Sequence, residues 1–99
     1  MVRYEVIVTA APELAEEFEQ YMRRKHIPEI LATGCFAEIA FQRGDGGRFR
    51  TSYAARTRGE VERYLADYTA AFRADFQAHF PAGVLAEREI WTDVEEWQR

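Results

Sequence analysis

The chain has a single cysteine, Cys35, so no disulfide can close within it. No apolar run approaches the roughly 20 residues that a membrane span requires. Basic residues are not in excess. The net charge of −4 argues against a general nucleic-acid binder, which needs a concentrated basic surface to neutralise phosphates. Gly44-Asp45-Gly46-Gly47 precedes a strand pattern rather than a helix and lacks a following Lys-Ser/Thr, which excludes a phosphate loop. No cluster of His, Cys, Asp and Glu has metal-ligand spacing, and neither a metal nor a cofactor is expected. The N-terminus enters a strand pattern without a signal-peptide core, so a cytoplasmic location is the expectation.

What is present is globular. A chain of 99 residues with 47% hydrophobic and 14% aromatic side chains is too apolar for disorder and fits one domain. Val2–Thr9 alternates, with Val2, Tyr4, Val6 and Val8 opposite Arg3, Glu5, Ile7 and Thr9, which reads as a strand. Pro12 opens a helix whose acidic start (Glu13, Glu16, Glu17, Glu19) and basic end (Arg23, Arg24, Lys25, His26) suit the macrodipole. Ile27-Pro28 is expected to end or kink that helix near His26, with one further turn over Pro28–Leu31 and a stop at Gly34. Cys35–Gln42 and Arg48–Arg56 alternate again and are joined by the glycine-rich hairpin. Thr57 and Glu60 form a capping box, and Val61, Tyr64, Leu65, Tyr68, Phe72, Phe76 and Phe80 make one aromatic stripe of a single helix. Val84–Asp93 is the last strand, and residues 95–99 are a tail beyond a domain of residues 1–94.

The second half thus repeats the strand–helix–strand grammar of the first. The order βαββαβ predicts a ferredoxin-like α+β fold: a four-stranded antiparallel sheet, first and third strands central, both helices on one face. The other face would carry Glu5, Ile7, Phe36, Glu38, Arg50 and Ser52, with Leu85, Glu87, Glu89 and Trp91. Its large apolar members suit contact with a second sheet, so a homodimer enclosing a partly polar lumen is expected.

The segment Tyr21-Met22-Arg23-Arg24-Lys25-His26-Ile27-Pro28-Glu29-Ile30-Leu31-Ala32-Thr33-Gly34-Cys35-Phe36, with Arg63-Tyr64-Leu65 and Arg73-Ala74-Asp75-Phe76, resembles a bacterial family of small, functionally uncharacterised proteins. That family is similar in architecture to the dimeric α+β barrel superfamily, which includes antibiotic-biosynthesis-type monooxygenases. The resemblance implies a dimer and a ligand-sized cavity. It carries over no catalytic residue.

Among single residues, His26 is the candidate base, with Tyr53 as a hydrogen-bond donor to a carbonyl or enolate. The plainer accounts are that His26 caps a helix end and that Tyr53 packs under a helix. His79 also reads as a cap, and the topology is expected to keep it away from His26. Glu5, Glu38, Arg50 and Trp91 are candidate ligand-binding residues of the lumen, although cross-strand charge pairs explain the charged three equally well. Cys35 reads as a buried small hydrophobe and Arg23-Arg24-Lys25 as a solvated helix end. Three functions follow: a small-molecule-binding dimer, a cofactor-independent monooxygenase or isomerase acting on a small aromatic or polyketide-like substrate, or an interaction subunit with no ligand.

Overall fold

The computed structural model describes residues 1–99. Strand β1 (Val2–Ala10) lies in the middle of the sheet, because both of its edges find partners. It pairs antiparallel with β3 (Arg48–Ala55) on one side and β4 (Val84–Thr92) on the other, and β2 (Glu38–Arg43) completes the order β2-β3-β1-β4. This is the expected ferredoxin-like arrangement. The alternation of β1 works as predicted: Val2, Tyr4 and Val8 are buried toward the helices.

Between β1 and β2 the chain makes a 3₁₀ turn at Pro12–Leu14, helix α1 (Ala15–Tyr21), a π turn at Met22–His26 and helix α2 (Ile27–Leu31). Of the end or kink expected near His26, the structure shows no end: the helix widens into the π turn up to His26 and then makes the expected further turn to Leu31. His26 and Ile27 both keep right-handed helical backbone angles, and the Ile27 N–H donates to the Met22 carbonyl five residues back. The wider π turn absorbs the missing donor and the ring of Pro28, which sits in the first turn of α2 where no intrahelical N–H is required.

The aromatic stripe is also divided. Thr57 is the N-cap of α3 (Arg58–Asp67), its hydroxyl accepting from the Glu60 N–H at 3.3 Å. The helix stops at Tyr68, with φ at −122°, and α4 (Thr69–His79) begins at once. The Thr69 hydroxyl donates to the Tyr64 carbonyl at 3.3 Å, a local bond that competes with the helical ladder. Thr57→Ala removes the only side-chain cap of this segment. It is expected to cost about 1 kcal/mol, or roughly 4–8 °C of melting temperature, read by circular dichroism.

Two apolar lobes hold helices to sheet. One gathers Tyr4, Tyr53, Val61 and Tyr64 around Ile30 and Cys35; the other gathers Val8, Phe18, Tyr21, Phe49 and Phe80. Phe36 joins the first lobe, with ring centroids 5.3 Å from Tyr53 and 5.0 Å from Tyr64. It was expected on the opposite face. The reason is local: β2 begins only at Glu38, so residues 35–37 precede the strand and strict alternation does not govern Cys35 and Phe36, which are both buried.

The other sheet face is covered by no element of this chain. It presents Leu85 at 76% and Trp91 at 58% exposure. At its rim the chain is tied down beyond β4: Arg3 grips Asp93 through two bonds of 2.9 and 3.0 Å, and the Asp93 N–H donates to the Met1 carbonyl. Past this clamp Trp97 is exposed.

Candidate functional site

Where the two lobes meet, helix α4 does not close on the sheet. A cleft of about 50 Å³ remains between them. Its floor is the middle of β1 (Tyr4, Val6, Val8) with Tyr53 of β3; its roof is Tyr64 of α3 and Phe72 and Phe76 of α4. His26 and Met22 close one side from the π turn, and Ala86 and Arg88 border the other from β4. Outward, between α4 and β4, the cleft continues into a groove of about 630 Å³ that shares Arg73, Phe76, Ala86 and Arg88 with it. The opening exists because β4 is an edge strand whose helix-facing side receives little cover. Ile90, on that side opposite Tyr4, is still 38% exposed.

His26 reaches this place because the helix continues through the π turn. Had the helix ended there, the imidazole would lie at a solvated terminus. Instead it stacks on Tyr21 at 5.5 Å and meets Phe72 at 5.9 Å and Phe76 at 5.8 Å. Its Nδ1 is shielded from solvent and has no hydrogen-bond partner in the chain. Burial among aromatic rings pushes its pKa down to about 4, against the pull of Asp75 and Glu29 toward the charged form. His26 is thus a neutral imidazole at pH 7, and not a helix-capping cation.

His79 also approaches Tyr21, at 4.6 Å between ring centroids. The two histidines thus each pack on Tyr21, yet only His26 lines the cleft, and His79 is not part of that site. His79 is exposed, with its Nδ1 2.9 Å from the Asp75 carbonyl oxygen. The Tyr21 hydroxyl donates to Asp75 at 2.6 Å, and Lys25 donates to the same oxygen at 3.0 Å. These two bonds hold the Asp75 carboxyl below its ordinary pKa and pin the π turn to α4.

Tyr53 is buried in the floor of the cleft. Burial, then the neighbouring Tyr64, raises the pKa of its hydroxyl, so it remains protonated at neutral pH. Burial also raises the pKa of Tyr64, although Arg73 and Arg88 pull it the other way. Of the residues singled out in the sequence, the structure brings His26 and Tyr53 together in this cleft.

Glu5, Glu38, Arg50 and Trp91 are elsewhere, on the uncovered sheet face. There Arg50 donates to Gln42 at 2.8 Å, Trp91 Nε1 donates to Glu89 at 2.7 Å, and Glu38 is exposed at the start of β2. Glu5 Oε2 and its cross-strand neighbour Ser52 Oγ are shielded without a partner. The two sets of residues are separated by the thickness of the sheet and do not form one site.

Sequence reasoning missed Tyr4, Tyr64, Arg73 and Arg88 as cleft residues. One signal was available. Arg88 shares its side of β4 with Val84, Ala86 and Ile90, a charge where the alternation calls for an apolar residue. No group of three or more His, Cys, Asp and Glu is placed to hold a metal ion. No helix is long and apolar enough to cross a membrane.

The whole chain superposes on a candidate antibiotic biosynthesis monooxygenase from Deinococcus radiodurans with a TM-score of 0.72 at 16% identity, covering 100% of this chain and 98% of that one. A second candidate antibiotic biosynthesis monooxygenase, from Nitrosomonas europaea, gives 0.65 at 17% identity, covering 96% and 100% of the two chains. Rv0793 from Mycobacterium tuberculosis gives 0.66 at 12%, covering 99% and 100%. At these identities the likeness is one of fold. Comparison with curated protein sequences gives no match. A family model does match, over residues 1–94, and the chain belongs to that family, described as a domain of unknown function, DUF4286.

Proposed function

We propose that this protein binds a small, largely apolar organic molecule in the cleft between sheet and helices, and that it works as a homodimer. One observation carries the first part: an apolar cleft with His26 in its wall, the imidazole of which has a shielded Nδ1 without a hydrogen-bond partner in the chain. Such an atom costs about 1–3 kcal/mol when unsatisfied, which a ligand hydroxyl or carbonyl would offset. The 50 Å³ of the cleft is small beside the ~300 Å³ of ordinary ligand sites. The ligand therefore extends into the adjoining groove. The oxygenase-like neighbours support an organic ligand by analogy of fold alone.

The dimer is supported by the uncovered face. Leu85 and Trp91 are large apolar groups in water there, and the molecule is a slab 20 Å thick. Charge is divided across that face: Arg48 and Arg50 lie on β3, and Glu87 and Glu89 lie on β4, with β1 between. A two-fold axis along β1 sets the arginines of each copy over the glutamates of the other. In that dimer Glu5, Glu38, Arg50 and Trp91 belong to the seam between the sheets. The lone, buried Cys35 thiol fits a cytoplasmic setting.

Native mass spectrometry of gently purified protein tests both parts. The expected species is a dimer that carries a small organic mass. A bare monomer at micromolar concentration would overturn the dimer, and a dimer that binds no organic probe in the cleft would overturn the ligand.

A second reading, a cofactor-independent oxygenase or isomerase, is favoured by the neutrality of His26 beside the protonated Tyr53. His26 would take a proton from the substrate, and Tyr53 would donate to the oxygen on which charge develops. A base with a pKa of about 4 removes only an acidic proton, such as one flanked by carbonyls or on a polyphenol. His26→Gln separates the readings: lost turnover at unchanged affinity marks an enzyme, and lost affinity alone marks a binding protein.

A further inference from the structure

We infer that the ligand of the cleft is an aromatic carboxylate, its ring against the tyrosine and phenylalanine walls and its anionic head between Arg73 and Arg88. This rests on the cleft being the binding site and adds the chemical class of what it takes.

Arg73 comes from α4 and Arg88 from β4, and both border the cleft and the outer groove. They therefore stand at the junction of the two spaces. Neither has a carboxylate within 4.0 Å; Arg3, Arg23, Arg43, Arg58 and Arg63 do, while Arg24, Arg48, Arg50, Arg56 and Arg99 share the lack but do not line the cleft. The one hydrogen bond of this pair runs from Arg73 Nη2 to the Tyr4 hydroxyl, at 3.5 Å.

Arg88 is the more telling of the two. It pairs with Val6 in the middle of β1 and projects to the helix-facing side, where packing alone favours a residue like its neighbours Val84 and Ala86. Two guanidinium groups at one opening repel each other, and the fold gains from the pair only the long bond of Arg73 to Tyr4. A carboxylate between them removes that repulsion and gains charge-assisted hydrogen bonds in a geometry to which the guanidinium fork is suited. The partners for the rest of the ligand are flat and apolar: Tyr4 and Tyr53 below, Phe72 and Phe76 above. An aliphatic chain would fit less well between such rings than an arene, which stacks on them.

The test is isothermal titration with two probes of one shape, 2-naphthoate and its neutral amide, 2-naphthamide, on wild type, the double variant Arg73→Gln/Arg88→Gln, and Ala86→Phe. The expected result is that wild type binds naphthoate about tenfold more tightly than naphthamide in low salt, and that added salt narrows the gap. The double variant then binds the two equally, having lost more affinity for naphthoate than for naphthamide. Ala86→Phe, which fills the shared wall, weakens both.

Equal binding of the two probes by wild type, or a preference for naphthoate that survives in the double variant, would overturn the carboxylate inference and leave the cleft standing. Binding indifferent to Ala86→Phe in a folded variant, or no binding of either probe, would overturn the cleft reading and this inference with it.

Discussion

Phe18→Ala is expected to bring the protein to the edge of unfolding at room temperature. The ring is fully buried and is a meeting point for much of the second lobe. Its centroid lies 5.0 Å from Phe49 of β3, 6.3 Å from Phe41 of β2, and 5.9 Å from both Phe76 of α4 and Phe80 at its end. One side chain from α1 thus ties two strands and the second helical segment together. Truncating a buried phenylalanine costs about 3–5 kcal/mol, transfer and cavity terms together. A domain of this size holds a total of only about 5–15 kcal/mol. The melting temperature should fall by roughly 15–30 °C, with the urea midpoint lowered and the slope of the transition unchanged. Phe18→Leu keeps most of the volume and should lose about 1–2 kcal/mol. Trp97→Ala, at the exposed tail, should shift stability by no more than about 0.5 kcal/mol. If Phe18→Ala melted within a few degrees of wild type, the second lobe would not be the keystone described here.

The architecture was legible because its signals are local and mutually consistent. The alternation over Val2–Thr9, the glycine hairpin and the Thr57 cap each concern neighbours in sequence, and each is met in the structure. What was not legible depends on competition between local and distant terms. Nothing between Met22 and His26 encodes a π turn by composition. Pro28 removes a donor, and whether the chain breaks or widens is decided by packing of the helix on α4 and the sheet. The stripe from Val61 to Phe80 has helical spacing throughout, so it conceals the change at Tyr68 that the Thr69 hydroxyl accompanies. Phe36 deceived because alternation was extended past the point where the ladder starts.

The cleft was invisible for a different reason. Tyr4, His26, Tyr53, Phe72 and Arg88 come from five separate elements, and only the tertiary fold brings them together. His26 and Tyr53 could be picked out by chemistry alone. Their apolar setting, which decides what that chemistry is, could not.

That setting makes His26 the residue through which acidity should act on the fold. Burial lowers its pKa from 6.5 to about 4; Lys25 and Arg88 reinforce the shift, and Asp75 and Glu29 oppose it. The folded state thus binds the proton less well than the unfolded chain. The stability that follows from this is complete above pH 6.5 and drains away as the pH falls toward 4, by roughly 3 kcal/mol at the lower limit. Asp75 and Asp93 act at the acid end of that range. Their pKa values are depressed, so their contribution is present above the ordinary carboxylate value and lost as the pH drops through their folded values.

His26→Phe isolates the imidazole. A benzyl side chain suits the contacts with Tyr21, Phe72 and Phe76, brings no orphaned nitrogen and cannot be protonated. At neutral pH the variant should be at least as stable as wild type. By pH 4 urea titrations should show it ahead by about 3 kcal/mol more, because the carboxylate effects are common to both proteins and cancel in the difference. Parallel stability curves would mean that the imidazole is not buried as described. A widening gap would mean that the chain keeps a histidine in its core at a cost to stability in acid. That is the pattern of a residue held for what it meets in the cleft, and not for the fold it weakens.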